Sequence, residues 1–160
     1  EKENSNTKII SKKYLSREKA LLEVYKHLPK KIPKISTTGM LSRELNEINT
    51  KNKTTDSTLM CVGGMGHAIS IATGIAKFKR KKKILCLDGD GAALMHLGAQ
   101  ASSAKMKNLI HIVFNNYAHD SVNGGRPPTE NISFYKLARE LGYGKSFIVK
   151  NVLFLTRDRE

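Results

Sequence analysis

Two short apolar runs, Ile84-Leu85-Cys86-Leu87 and Leu109-Ile110-His111-Ile112-Val113-Phe114, each stop abruptly at a cluster of polar residues and glycines. Runs this apolar, without strict polar alternation, read as strands buried on both faces. Stretches with helical spacing precede and separate them. Strands alternating with helices imply one parallel sheet covered by helices on both faces, an open α/β fold. The polar clusters then fall at the C-terminal ends of strands, where ligands of such sheets bind. They read Gly89-Asp90-Gly91 and Asn115-Asn116, with residues 92–114 between them. A Gly-Asp-Gly turn lets backbone approach a diphosphate closely, since glycine lacks a Cβ and tolerates positive φ. Its aspartate would repel that anion unless a cation sat between them. An amide from the second loop adds another hard oxygen ligand, which describes Mg²⁺ or Ca²⁺.

The remaining elements follow from caps and periodicity. Ser16 caps a helix reaching about His27, with Leu21, Leu22, Val24, Tyr25 and Leu28 apolar. A strand is expected near Ile35–Thr38, a short helix over Leu41–Ile48, and a polar loop over Asn49–Ser57. Leu59–Val62 reads as a strand, Gly63-Gly64 as a turn, and Gly66–Phe78 as a small-residue helix. Further helices are expected over Ala92–Met106 and Ser133–Leu141, and a last strand over Phe147–Val149.

At 160 residues the chain makes one domain with a core that needs no disulfide. Residues 1–13 read as a linker, 14–150 as the domain, and 151–160 as an atypical tail. Cys61 and Cys86 lie in apolar runs and read as buried, reduced thiols of a cytoplasmic protein. No apolar run approaches the roughly 18 residues that span a bilayer, and residues 1–6 lack a signal peptide's apolar stretch. The absent initiator Met leads to the expectation that the sequence is a piece of a longer one. Net charge is +14, from 28 basic and 14 acidic residues, and six of the seven residues 77–83 are basic. That run sits between a helix and a strand without an aromatic ladder, so it reads as a solvated connection rather than a nucleic-acid surface.

The spaced GDG and NN motifs resemble the diphosphate-binding domain of thiamin diphosphate enzymes. Ser36-Thr37-Thr38-Gly39, Ser42-Arg43-Glu44-Leu45, Gly64-Met65-Gly66-His67-Ala68, Asp88 to His96, and Ala118-His119-Asp120-Ser121-Val122 resemble the phosphonopyruvate decarboxylase family. The sulfopyruvate decarboxylases are the nearest alternative. The resemblance runs from about Tyr14 to Val149. A dinucleotide fold is the rival for glycine turns after strands, but G-x-G-x-x-G fails at Ile69 and again at Leu94.

The resemblance implies a thiamin diphosphate cofactor with Mg²⁺ held by Asp90, the Asn116 side chain and the Ala118 carbonyl. It places the Gly91 and Ala92 amides on the diphosphate and Thr38 and Gly39 at the cofactor. It gives Asn115 a structural role. The Gly63 carbonyl would accept from the aminopyrimidine, with Met65 wedged beneath the cofactor's two rings. His119 is the candidate for proton transfer; His96 reads as structural, and His67 stays open between the two roles. Arg43 and Arg126 are candidates for an acidic substrate group. The implied reaction is decarboxylation of a small 2-oxo acid, 3-phosphonopyruvate to phosphonoacetaldehyde and CO₂. An inactive cofactor-binding module is the alternative of a different class. The activating glutamate would come from a pyrimidine-binding domain or subunit, in a homo- or hetero-oligomer. The sequence departs from the family at Met40 and Leu41, where a lysine and a threonine are usual. It also departs after Lys150, where the family continues with a helix and a strand, so truncation is expected there.

Overall fold

The computed structural model describes residues 15–54, 57–116 and 131–149. Its elements run α1 (Arg17–His27), β1 (Lys34–Ser36), α2 (Met40–Asn52), β2 (Thr58–Met60), α3 (Ala68–Phe78), β3 (Ile84–Gly89), α4 (Asp90–Met95), α5 (Leu97–Ser103), β4 (Leu109–Phe114) and α6 (Phe134–Glu140). The strands form one parallel sheet in the order β2-β1-β3-β4. Ile35 stands opposite both Leu59 and Cys86, and Cys86 opposite His111.

The pleat divides the core into two layers. Leu85 and Leu87 face α1 and α2, packing with Leu21, Val24, Leu41, Leu45, Ile48 and Phe114. Ile35, Ile84 and Cys86 face the other way, onto Ala68, Ile69, Ala72 and Ala76 of α3. The alanines let α3 approach the sheet closely. A fully buried aliphatic side chain contributes about 1.5–3 kcal/mol, so this double layer dominates the driving force. Helices on both faces of a parallel sheet are the architecture that the two apolar runs required.

Three expectations need correction. The loop expected to begin at Asn49 instead continues α2 to Asn52. Asn49 is fully buried; its amide donates to Thr58 Oγ1 (3.1 Å) and its carbonyl oxygen accepts from Thr54 Oγ1 (3.2 Å). Lys53, at φ 54°, then ends the helix in the left-handed region. The single helix expected over Ala92–Met106 is broken at His96 (φ −125°, ψ 51°). Gln100 Nε2 satisfies the Ala93 carbonyl there at 2.6 Å, replacing a helical bond. Phe147–Val149 forms no strand: these residues are irregular and exposed, Phe147 by 65%. Among the described residues nothing pairs with the outer edge of β4. The expected linker 1–13 and tail 151–160 lie outside the described residues.

Candidate functional site

The chain steps from β1 outward to β2, then returns past β1 to β3 and continues to β4. Connections leaving β1 and β3 therefore diverge, opening a crevice between their C-terminal ends, the switch point at which such sheets bind ligands. The Thr37 N–H donates to the Leu87 carbonyl (2.9 Å) and closes the crevice floor. On one side Thr38 and Gly39 lead into α2, with Gly39 at φ 97°, a conformation that favours glycine. They line an open groove of about 560 Å³ with Met40, Ser42, Arg43, Asn46, Met60 and Val62. Arg43 is exposed, its Nη1 lying 4.0 Å from Met40 Sδ. Ser42 Oγ donates to the Thr37 carbonyl and meets Ser36 Oγ, which fixes the start of α2 against β1.

On the other side β3 ends at Gly89 and Asp90 begins α4. Asp90 is buried, and its Oδ1 accepts from the Gly91 N–H at 2.9 Å. Gly89 pairs in register with Phe114, so the adjacent ends of β3 and β4 carry Asp90 and Asn116 to the same edge of the sheet. The positive φ expected in this turn is absent at Gly89, whose φ is −91°. Among the described residues the left-handed glycines are Gly39, Gly63, Gly66 and Gly142. A Cβ added at Gly89 would meet nothing within 4 Å. Neither conformation nor crowding among the described residues requires glycine there, and the open space beside a buried carboxylate suits a metal-bound anion.

The turn after β2 carries Gly63 at φ 75° and Gly66 at φ 82°. Cys61 Sγ donates to the Gly64 carbonyl (3.3 Å), and the His67 N–H donates to the same oxygen (3.1 Å). A Cβ at Gly66 would lie 2.8 Å from His96 Cδ2 and 2.9 Å from Met95 Cβ. This contact seats the Met65 turn directly on the end of α4. The His67 and His96 ring centroids lie 4.2 Å apart with the ring planes tilted by 52°, so His96 packs on the turn. His67 Nδ1 lies 3.2 Å from the Met65 carbonyl.

The fold thus carries Thr38, Gly39, Gly63, Met65 and Asn116 on loops, and Asp90, Gly91 and Ala92 in the first turn of α4, at the C-terminal ends of the strands, with Arg43 in the adjoining groove. Ala118, His119 and Arg126 lie outside the described residues. Two features escaped the sequence reading. Thr37 Oγ1 is buried at the crevice wall with no hydrogen-bond partner among the described residues, one residue before the expected Thr38. Asp88 and His111 meet inside the sheet, Oδ2 to Nε2, at 3.3 Å. Strand alternation places Cys86 and Asp88 on one face, but nothing local announces the partner on β4.

An open parallel sheet with polar loops at its switch point defines a ligand-binding α/β domain. Residues 35–152 match the family described as thiamine pyrophosphate enzyme, C-terminal TPP binding domain, and the chain belongs to that family. It is 34% identical over 126 residues to phosphonopyruvate decarboxylase of Streptomyces hygroscopicus, covering 78% of this chain and 30% of that protein. It is 30% identical over 111 residues to sulfopyruvate decarboxylase subunit beta of Methanocaldococcus jannaschii, covering 68% of this chain and 56% of that one. In fold it is similar to a solved structure described as a thiamin diphosphate-dependent enzyme from Mycobacterium smegmatis, with a TM-score of 0.61 and 18% identity over 80% of this chain and 25% of the other. The chain spans less than a third of the phosphonopyruvate decarboxylases it matches.

Proposed function

We propose that this chain is the cofactor-binding part of a thiamin diphosphate- and Mg²⁺-dependent decarboxylase acting on 3-phosphonopyruvate. The observation that carries the reading is the arrival of Asp90 and Asn116 on adjacent strand ends beside an open glycine, within the matched domain. In this reading Asp90, the Asn116 side chain and the Ala118 carbonyl hold Mg²⁺. Hard oxygen donors suit that ion, and the Asp90 charge offsets part of the metal's. With Asp90 engaged by the metal, the Gly91 and Ala92 amides would be the donors for the diphosphate. The Gly63 carbonyl would accept from the cofactor's amine, and Met65 would support the cofactor's rings. Thr38 and Gly39 would border the cofactor across the crevice.

When bound, thiamin diphosphate supplies the electron sink that lets a 2-oxo acid lose CO₂. The protein's own residues bind, orient and move protons around that chemistry. Arg43, alongside Met40 in the groove, is placed to meet an acidic substrate group in paired hydrogen bonds. Arg126 is the second candidate, and His119 is assigned proton transfer to the leaving aldehyde; both lie outside the described residues. The activating glutamate is assigned to a pyrimidine-binding partner.

Sulfopyruvate is the second substrate this reading admits. It is favoured by the relatives named as beta subunits, of which this chain spans more than half, and by Met40 in the position of the family's lysine.

Asp90→Ala tests the site. Removing one member of a charge-assisted contact costs about 2–5 kcal/mol, so the variant is expected to lose at least about thirtyfold in Mg²⁺-dependent thiamin diphosphate affinity. Calorimetric titration measures both proteins; wild-type affinity that is the same with and without Mg²⁺ would rule the assignment out.

A further inference from the structure

Beneath the proposed cofactor site, three side chains of different ligand chemistry converge inside the sheet. Cys86 and Asp88 project from one face of β3, and His111 is the register partner of Cys86 on β4. One donor atom from each, a sulfur, a carboxylate oxygen and an imidazole nitrogen, lies within 4.8 Å of the other two. Cys86 and Asp88 are completely buried.

This cluster is poorly satisfied by its own hydrogen bonds. Asp88 Oδ1 is buried with no hydrogen-bond partner among the described residues, a costly arrangement for a carboxylate. Asp88 Oδ2 meets His111 Nε2 at 3.3 Å, long for a charge-assisted bond, which is usually about 2.7–2.9 Å. The same separation suits another geometry. Around a tetrahedral zinc ion with Zn–N and Zn–O near 2.0–2.1 Å, neighbouring donors stand roughly 3.3–3.4 Å apart. The second imidazole nitrogen, His111 Nδ1, lies 3.4 Å from the Tyr143 hydroxyl. Metal-bound histidines almost always hold an outer partner at that position.

We propose that Cys86, Asp88 and His111 form a buried zinc site, with Tyr143 as the outer partner that orients His111. Thiolate, carboxylate and neutral imidazole sum with Zn²⁺ to no net charge, the condition that a buried site favours. Burial, followed by the neighbouring Asp88 charge, pushes the Cys86 thiol up, so without metal the sulfur keeps its proton. Zinc binding forms the Zn–S bond and releases that proton to solvent. Sulfur and nitrogen donors separate this site from the oxygen set of Asp90 and Asn116, which suits Mg²⁺. The proposal therefore stands whether or not the magnesium assignment holds.

Cobalt substitution tests it on the full chain, kept under reducing conditions. Demetallated protein titrated with Co²⁺ should take up about one equivalent and develop a thiolate-to-cobalt charge-transfer band with tetrahedral d–d bands. Zn²⁺ should erase the spectrum. Tyr143→Phe should fold normally and bind Co²⁺ about 10- to 100-fold more weakly, as outer-partner losses do. Cys86→Ser should abolish the charge-transfer band, while Asp90→Ala and Cys61→Ser should leave it unchanged. Absence of the band in the wild type overturns the proposal without any variant having to fold. So does its survival in Cys86→Ser, or displacement of the metal by excess Mg²⁺ with thiamin diphosphate. A cluster holding water in place of metal gives the first of these results.

Discussion

A methyl group added at Gly66 would press on His96 Cδ2, Met95 Cβ and the Ala92 carbonyl at 2.8, 2.9 and 3.1 Å, at a φ of 82°. One added at Gly89 would meet nothing within 4 Å, at an ordinary φ of −91°. The first glycine is demanded by the chain's own packing. The second meets no such demand among the described residues, and the proposed function gives it a reason, room for the cofactor's diphosphate. Gly66→Ala is expected to destabilise the fold by roughly 2–5 kcal/mol, combining backbone strain with overpacking against helix and carbonyl. Gly89→Ala is expected to stay within about 0.5 kcal/mol of the parent yet bind thiamin diphosphate about tenfold or more weakly. Urea denaturation and calorimetry read the two quantities separately. Parental cofactor affinity in Gly89→Ala would remove the argument that the open space is where the anion sits.

Elements differ in how far local sequence announces them. β3 was legible because burial on both faces leaves an apolar run; β4 keeps the same apolar pattern though only Phe114 of it is buried, and Phe147–Val149, equally apolar, forms no strand. The β1–β3 crevice follows from the strand order, which composition does not encode. Helix ends were less legible. Asn49 looked like the start of a polar loop because its buried partners, Thr54 and Thr58, lie beyond the helix it extends. The break at His96 falls where Gly66, some thirty residues away, packs against the end of α4. The Asp88–His111 contact joins two strands and is set by register, which composition does not encode. Asn108 illustrates the same dependence: its Nδ2 reaches the carbonyls of Ala76, Lys79 and Lys82 at 3.0, 3.2 and 2.9 Å. That one amide organises the connection between α3 and β3, whose carbonyls would otherwise face the base of β4. Asn108→Ala should therefore cost about 1–3 kcal/mol, measurable as a lower urea midpoint with an unchanged slope. A loss below about 0.5 kcal/mol would mean that solvent satisfies those carbonyls equally well.

Across the whole molecule, charge and site separate. The basic run 77–83 is exposed and immediately precedes β3, so it lies at the N-terminal end of the sheet. The crevice is at the opposite end, so the run forms no part of its lining. No helix among the described residues is long and apolar enough to cross a membrane. The C-terminal end instead presents exposed apolar side chains, Val62 at 84% and Met95 at 59%, on either side of the Gly63–Gly66 turn. Apolar surface at the rim of a binding crevice suits a second domain closing over it. The proposed function calls for such a partner, the pyrimidine-binding domain or subunit that would carry the activating glutamate. If the activating glutamate comes from that partner, the isolated chain should bind thiamin diphosphate with Mg²⁺ but release no CO₂ from phosphonopyruvate, sulfopyruvate or pyruvate. Adding a pyrimidine-binding domain that carries the glutamate should restore turnover, and replacing that glutamate by glutamine should remove it again. Charging the closing surface with Val62→Asp should weaken the assembly while leaving cofactor binding to the isolated chain in place. Coupled detection of CO₂ with each component alone and together decides the matter. Decarboxylation by the purified chain alone would place the activating group within these 160 residues and overturn the division of labour between two domains.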